Sequence, residues 1–222
     1  MFGAVYTRVT GTLYLGLMTN LLLGLASLPF LALVVTTDPR TTWPLWAAAA
    51  MAAVPAVGAA FHVFARHSDE SETAVVRPFL AGWWRALRRV LPAGSLGIAL
   101  TMIVAVDIAW VRQHDARTGT SLTSVAVPIA AVLLALCAMT TLGCMVAALE
   151  RTDVSLPRLA KAAVYLMVRR WYLTALSAAC TAVFIIVLVE RPAVAIGVIA
   201  SPLLFVIWAN TRRAMRPVLA IA

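Results

Sequence analysis

Six largely apolar runs, each near the length that crosses a bilayer, constrain this chain more than any other feature. They fall at about 12–36, 44–65, 91–112, 122–149, 172–190 and 192–211. Lipid offers no partner for backbone N–H and C=O groups, so such runs close their hydrogen bonds internally as helices. A crossing takes roughly 20 residues. The 222 residues are 63% hydrophobic and 12% charged, against about half and a quarter in soluble domains. The sequence therefore predicts an all-α integral membrane bundle, one domain over 1–222, with six spans. The connection between the fifth and sixth runs, around Glu190 and Arg191, is very short, which predicts an antiparallel hairpin. Pro192 suits the first turn of the sixth helix. The first run, Leu13 to Val35, exceeds the roughly 7–15 residues of a cleavable signal core and reads as a retained span.

Charge orients the bundle. The net charge is +9, and 17 of the 18 basic residues are arginine. On a soluble domain this excess would point to nucleic acid. Here it lies between spans, where orientation and anionic lipid headgroups account for it, so no nucleic-acid partner is expected. With a cytoplasmic N-terminus, fourteen basic residues fall inside and four outside (Arg40, Arg112, Arg117 and Arg191). Both termini are expected in the cytoplasm.

Two inner loops carry amphipathic stretches. In RPFLAGWWRALRRVL (77–91), Phe79, Leu80, Trp83, Trp84, Leu87, Val90 and Leu91 share one arc of a helical wheel. Arg77, Arg85, Arg88 and Arg89 oppose it. Tryptophan and leucine opposite arginine mark a helix lying along a membrane surface, its arginine stems snorkelling. In SLPRLAKAAVYLMVRRWYL (155–173), Arg158, Lys161, Tyr165, Arg169 and Tyr172 share a face, with Leu159, Ala163, Leu166 and Met167 on another. The surface helices are expected at about 77–90 and 155–170. Arg170 falls near the second apolar arc; either the helix ends before it or it points into the bundle. Each stretch has a proline near its start, a double arginine near its end, and two spans after it. This reads as a weak internal repeat or as a chance likeness of two juxtamembrane segments.

NLLLGLASLP (20–29), VPAVGAAFHVFARHSDE (54–70) and FLAGWWRALRRVLPAG (79–94) follow one another in an order that resembles the YesL-type family of bacterial membrane proteins, defined by a domain of unknown function. The likeness is specific over roughly the first 95 residues. Where the family pattern places a Trp after the Asn, this chain has Leu21-Leu22-Leu23. The resemblance implies a small multi-span protein of the bacterial cytoplasmic membrane, associated with carbohydrate uptake. It implies no catalytic residues.

Polar groups within spans are costly and are functional candidates by default. Asn20, in the first span, reads as interhelical glue or a cavity-lining group. His62 lies near the inner end of the second span, as an interfacial or proton-linked group. Asp107 stands five residues before Arg112 and reads as its ion-pair or capping partner, or as a coupling-ion site. Pro29 and Pro55 are expected to kink the first two spans. Cys137, Cys144 and Cys180 lie within runs and form no CxxC pair; they read as buried small apolar residues. No phosphate loop, HExxH or catalytic triad occurs. The expectation is a non-enzymatic accessory or interaction protein without cofactor or metal. Its contacts with headgroups, and with a carbohydrate transporter complex, would run through Trp83, Trp84, Arg85, Arg88, Arg89, Arg158, Lys161, Arg169 and Arg170. The rival expectation is a small solute transporter or channel, acting as a homo-oligomer.

Overall fold

A computed structural model describes residues 2–70 and 74–219. The last residues, 220–222, and the side chains of Arg8 and Arg40, all of which enter the topology reading, lie outside what it describes. Every regular element among the described residues is helical: α1 (Phe2–Ala26), α2 (Leu28–Thr36), α3 (Pro39–Glu70), α4 (Val76–Arg89), α5 (Leu91–Thr118), α6 (Leu122–Glu150), α7 (Leu156–Arg169), α8 (Trp171–Glu190), the single turn α9 (Pro192–Val194), a π-helical turn (Ala195–Ile199) and α10 (Ala200–Leu219). Five helical stretches, in α3, α5, α6, α8 and the run from α9 through α10, are long and apolar enough to cross a membrane. A sixth is reached if α1 and α2 count as one span.

The first expected span is thus corrected: the run 12–36 is two helices meeting at 73°. The break falls at Ser27 (φ −103°, ψ 10°), with Pro29 in the first turn of α2. Pro29 has no N–H to give, and its ring would strike the Leu25 carbonyl in a continuous helix. α2 then folds against the start of α3. The Phe30 and Trp46 rings meet edge-on at 5.9 Å, and Trp46 Nε1 donates to Thr37 Oγ1 at 3.0 Å.

The second proline expectation fails. α3 runs through Pro55 and leaves helical dihedrals only at Thr42 (φ −115°, ψ 23°), two residues before Pro44. Of the apolar stretch of α3, 56% is buried, against 11% in each of α5, α6 and α8, and α3 serves as the central post. Burial is not what lets a helix carry a proline here, since α6 also runs through Pro128. Ala56, Ala59, Ala60, Phe61 and Phe64 are the inner face of α3 and pack with α1, α4 and α10. A second cluster joins Met139 and Ala147 of α6 to Leu159, Ala163 and Met167 of α7 and Met215 of α10. Large apolar side chains stay exposed on the outer faces, among them Ile103, Val106, Val132 and Ile186. In water this band would be a liability; in lipid it is the expected surface.

The sixth run starts with Pro192 at the head of α9, as expected, but is not one regular helix. The Ala200 N–H reaches back to the Ala195 carbonyl, a five-residue step. Pro202 follows and has no N–H for the preceding turn. Between α5 and α6, Gly119 closes the helix at φ 69°, a left-handed position that glycine adopts without steric cost.

Candidate functional site: the charged end of the bundle

The C-terminal ends of α3 and α6 and the last third of α10 meet through one guanidinium. Arg212 donates from Nη1 to Asp69 Oδ1 at 2.9 Å and from Nη2 to Asp69 Oδ2 at 2.8 Å. Its Nε stands 2.9 Å from Glu150 Oε1. The same guanidinium lies over the Trp208 ring, 5.3 Å from its centroid. Three segments remote in sequence are thereby tied at one level, and α4 and α7 attach at the same end. None of Asp69, Glu150 and Arg212 stood out in the sequence, where each is one more charge at a span end. The available signal was the coincidence of two acids closing spans and a basic residue closing a third.

α4 and α7 are built alike. Each has 14 residues, and each is followed after a single residue by a long apolar helix. α4 packs on α3, and α7 packs on α6. In α7 the buried residues are Leu159, Ala163, Leu166 and Met167, the four that the wheel placed together. In α4 the packed face and the apolar arc coincide only in part. Its buried residues are Pro78, Phe79, Gly82 and Ala86, and Val90 just beyond its end is also buried. Leu80 and Trp84 are exposed, at 58% and 54%. The cause is steric. A Cβ on Gly82 would sit 2.7 Å from His62 Cβ, and one on Gly58 would sit 2.7 Å from Ala86 Cβ. Small residues let α4 approach α3 closely, and this turns its contact face away from the larger side chains.

The tryptophan pair therefore divides. Trp83 is half-buried against the core. Trp84 faces outward with the Arg88 guanidinium 5.0 Å above its ring. Arg85 and Arg88 are exposed. Arg89 is half-buried and donates from Nη2 to the Thr152 carbonyl in the α6–α7 loop. In that loop Arg151 binds Asp153 with both forks, at 2.9 and 2.8 Å. That hydrogen bonding, with a backbone N–H contribution, holds the Asp153 carboxyl down at about 2. On α7, Arg158, Lys161 and Arg169 are exposed. Arg170 both ends the helix (φ −109°, ψ 44°) and turns inward, donating from Nη1 to the Arg213 carbonyl at 2.5 Å.

The three intramembrane polar residues are dispersed. Asn20 is buried and sits in the backbone ladder of the irregular helix. Its Nδ2 donates to the Gly197 carbonyl at 3.0 Å, and its Oδ1 accepts from the Ser201 N–H at 2.6 Å. Those two backbone groups would bond each other in a regular α-helix. The carboxamide replaces that bond and pins α1 to the π turn. His62 is half-buried with its ring against Gly82 of α4. Asp107 is exposed on α5, and the ion pairs among the described residues do not join it to Arg112. The acid that caps is Asp115. It accepts from Thr120 Oγ1 at 2.6 Å and from the Leu122 and Thr123 N–H groups at 3.2 and 2.6 Å, closing the start of α6. Free N–H groups at a helix start favour a carboxylate partner.

The chain matches no family model, no curated protein and no solved structure. The arrangement offers a rigid end plate with two amphipathic helices, their inner faces packed and their outer faces lined with arginine and aromatic side chains.

Proposed function

We propose that the protein is a non-enzymatic accessory component of a bacterial cytoplasmic membrane. In this reading it has six crossings, and its charged end faces the cytoplasm. The observation that carries the reading is the shared build of α4 and α7. Each presents arginines to one side while its inner face is locked to the bundle, and on α4 Leu80, Trp84 and Arg88 form an apolar-cationic flank. Such a flank suits headgroups and the side of a neighbouring membrane protein. The six-crossing reading takes α1 as the first span. Gly16 approaches Ser201, Asn20 bonds Gly197, and Gly24 approaches Ile196. Contacts that step backward along the sixth run mean that α1 travels antiparallel to it, from the charged end to the far one. α2 then lies across that far end. The partner proposed from the YesL-type resemblance is a carbohydrate transporter complex.

The test is photo-crosslinking in native membranes from positions 80 and 84 on α4 and 165 on α7, with Phe79 as an internal control. Adducts to lipid and to carbohydrate-transporter subunits from the three outward positions are expected. Position 79 should give internal adducts alone. Internal adducts at every position would overturn the reading.

A second reading, a small solute transporter working as an oligomer, draws on the opened helix at Gly197, since irregular helices line many transport sites. A cleft of about 320 Å³ also lies among α2, α3, α5, α6 and α8. Its hydroxyls Thr101, Thr141 and Thr181 each donate to a carbonyl of their own helix. That leaves little polarity to coordinate a solute, so the accessory reading is preferred. Solute flux in liposomes carrying the purified protein alone would reverse the preference.

A further inference from the structure

A cavity of about 680 Å³ opens at the charged end, lined by Ser68, Asp69, Glu150, Trp208, Arg212, Arg213 and Arg216 among others. Its size lies within the roughly 300–1,000 Å³ of small-ligand sites. Its three guanidiniums are not equivalent. Arg212 is committed to Asp69 and Glu150 through all three of its nitrogens. Arg213 and Arg216 are exposed, and among the described residues no carboxylate engages their side chains. They stand three residues apart on α10, so they share a face. The lining thus holds two acids neutralised in part by one arginine, and two further arginines left over. Its balance is one positive charge.

We propose that this cavity binds one phosphate group, held between the Arg213 and Arg216 guanidiniums. Paired guanidiniums match the oxygens of a phosphate group in geometry and in charge. The Ser68 hydroxyl on the lining is a further donor. The Arg212 network acts as a fixed wall: its acids confine the anion to the Arg213–Arg216 side, and Trp208 backs Arg212. Two sources carry this chemistry, the phosphodiester of an anionic phospholipid headgroup and a free phosphate monoester. The site is distinct from the outer faces of α4 and α7. The lipid source rests on the proposed membrane placement of the charged end; the phosphate chemistry does not.

The test uses the full-length protein purified in neutral detergent. Native mass spectrometry with added phosphatidylglycerol measures retained lipid, and thermal unfolding with inorganic phosphate measures free-anion binding. Arg213→Gln/Arg216→Gln is compared with wild type and with Arg112→Gln/Arg117→Gln on α5, two exposed arginines away from the cavity. If lipid is the source, wild type and the α5 variant retain one phosphatidylglycerol through washing. The cavity variant then retains it about thirtyfold more weakly, the loss expected for two surface basic residues. If the source is a free monoester, lipid is not retained, and phosphate raises the melting temperature of wild type and the α5 variant but not of the cavity variant. Arg213→Lys/Arg216→Lys checks the fold and should recover binding in part. Equal binding by wild type and the cavity variant, or none by either in both assays, overturns the proposal. Failure of the crosslinking test above with success here would discard the accessory role and keep the site.

Discussion

α4 and α7 occupy matching places in the chain and differ in how they are held. α4 meets α3 through Gly82, Ala86 and Gly58, with no room for an added carbon. α7 meets α6 through long side chains: the Met167 methyl fills the space over Gly143, where a Cβ would stand 2.8 Å from it. One contact is backbone-close and intolerant of growth; the other is filled by side chains and intolerant of loss. Two surface helices of equal length can therefore be fixed by opposite means, and substitutions should tell them apart.

The largest effect is expected on α7. Met167→Ala removes a buried side chain from between α6, α7 and α10, and should cost about 2–5 kcal/mol in equilibrium unfolding. A loss near zero would mean that α7 rests loosely on α6. On α4, Met167's counterpart is the missing side chain of Gly82. Gly82→Val should cost about 1–3 kcal/mol by forcing α4 away from His62, and should raise the accessibility of Ala86 to small probes. Unchanged stability there would break the contrast between the helices.

A smaller change tests the plate to which both attach. Asp69 is half-exposed and Arg212 is 28% exposed, and pairs of this kind contribute about 0–1 kcal/mol. Asp69→Asn should fall in that range and lose its effect at high salt. The smallest effect concerns the loop that receives Arg89. The Asp153 carboxyl is depressed to about 2, below the roughly 3.9 of an unfolded aspartate. Its contribution is then fully present above about pH 4 and lost as pH falls toward 2. Because Asp153 is exposed, the change should appear as local opening of 151–155 in hydrogen exchange, and Asp153→Asn should abolish its pH dependence.

Much of this architecture was legible in advance because lipid leaves few options. The helix class, five of the apolar runs and the inner face of α7 followed from apolar period and length. What the sequence left hidden was set by neighbours. The wheel of α4 weighs Trp84 above Gly82, whereas the fold uses Gly82 because α3 comes close. Pro29 and Pro55 look alike in sequence, yet one stands in the first turn of a new helix and the other inside α3. Asn20 was visible as a polar group in a span, but its partner 177 residues away was not. The charged end depends on three remote segments meeting, which no local pattern reports.

The central claim is that the charged end forms one face of the membrane, with the α5–α6 turn on the other. Cysteine labelling tests it most directly. In a background with Cys137, Cys144 and Cys180 replaced by alanine, single cysteines at Arg85, Asp153 and Thr118 are exposed to a membrane-impermeant maleimide on intact and on inverted membranes. The account predicts labelling of positions 85 and 153 in inverted membranes alone, and of position 118 in intact cells alone. Labelling of 118 and 153 from the same side would contradict it.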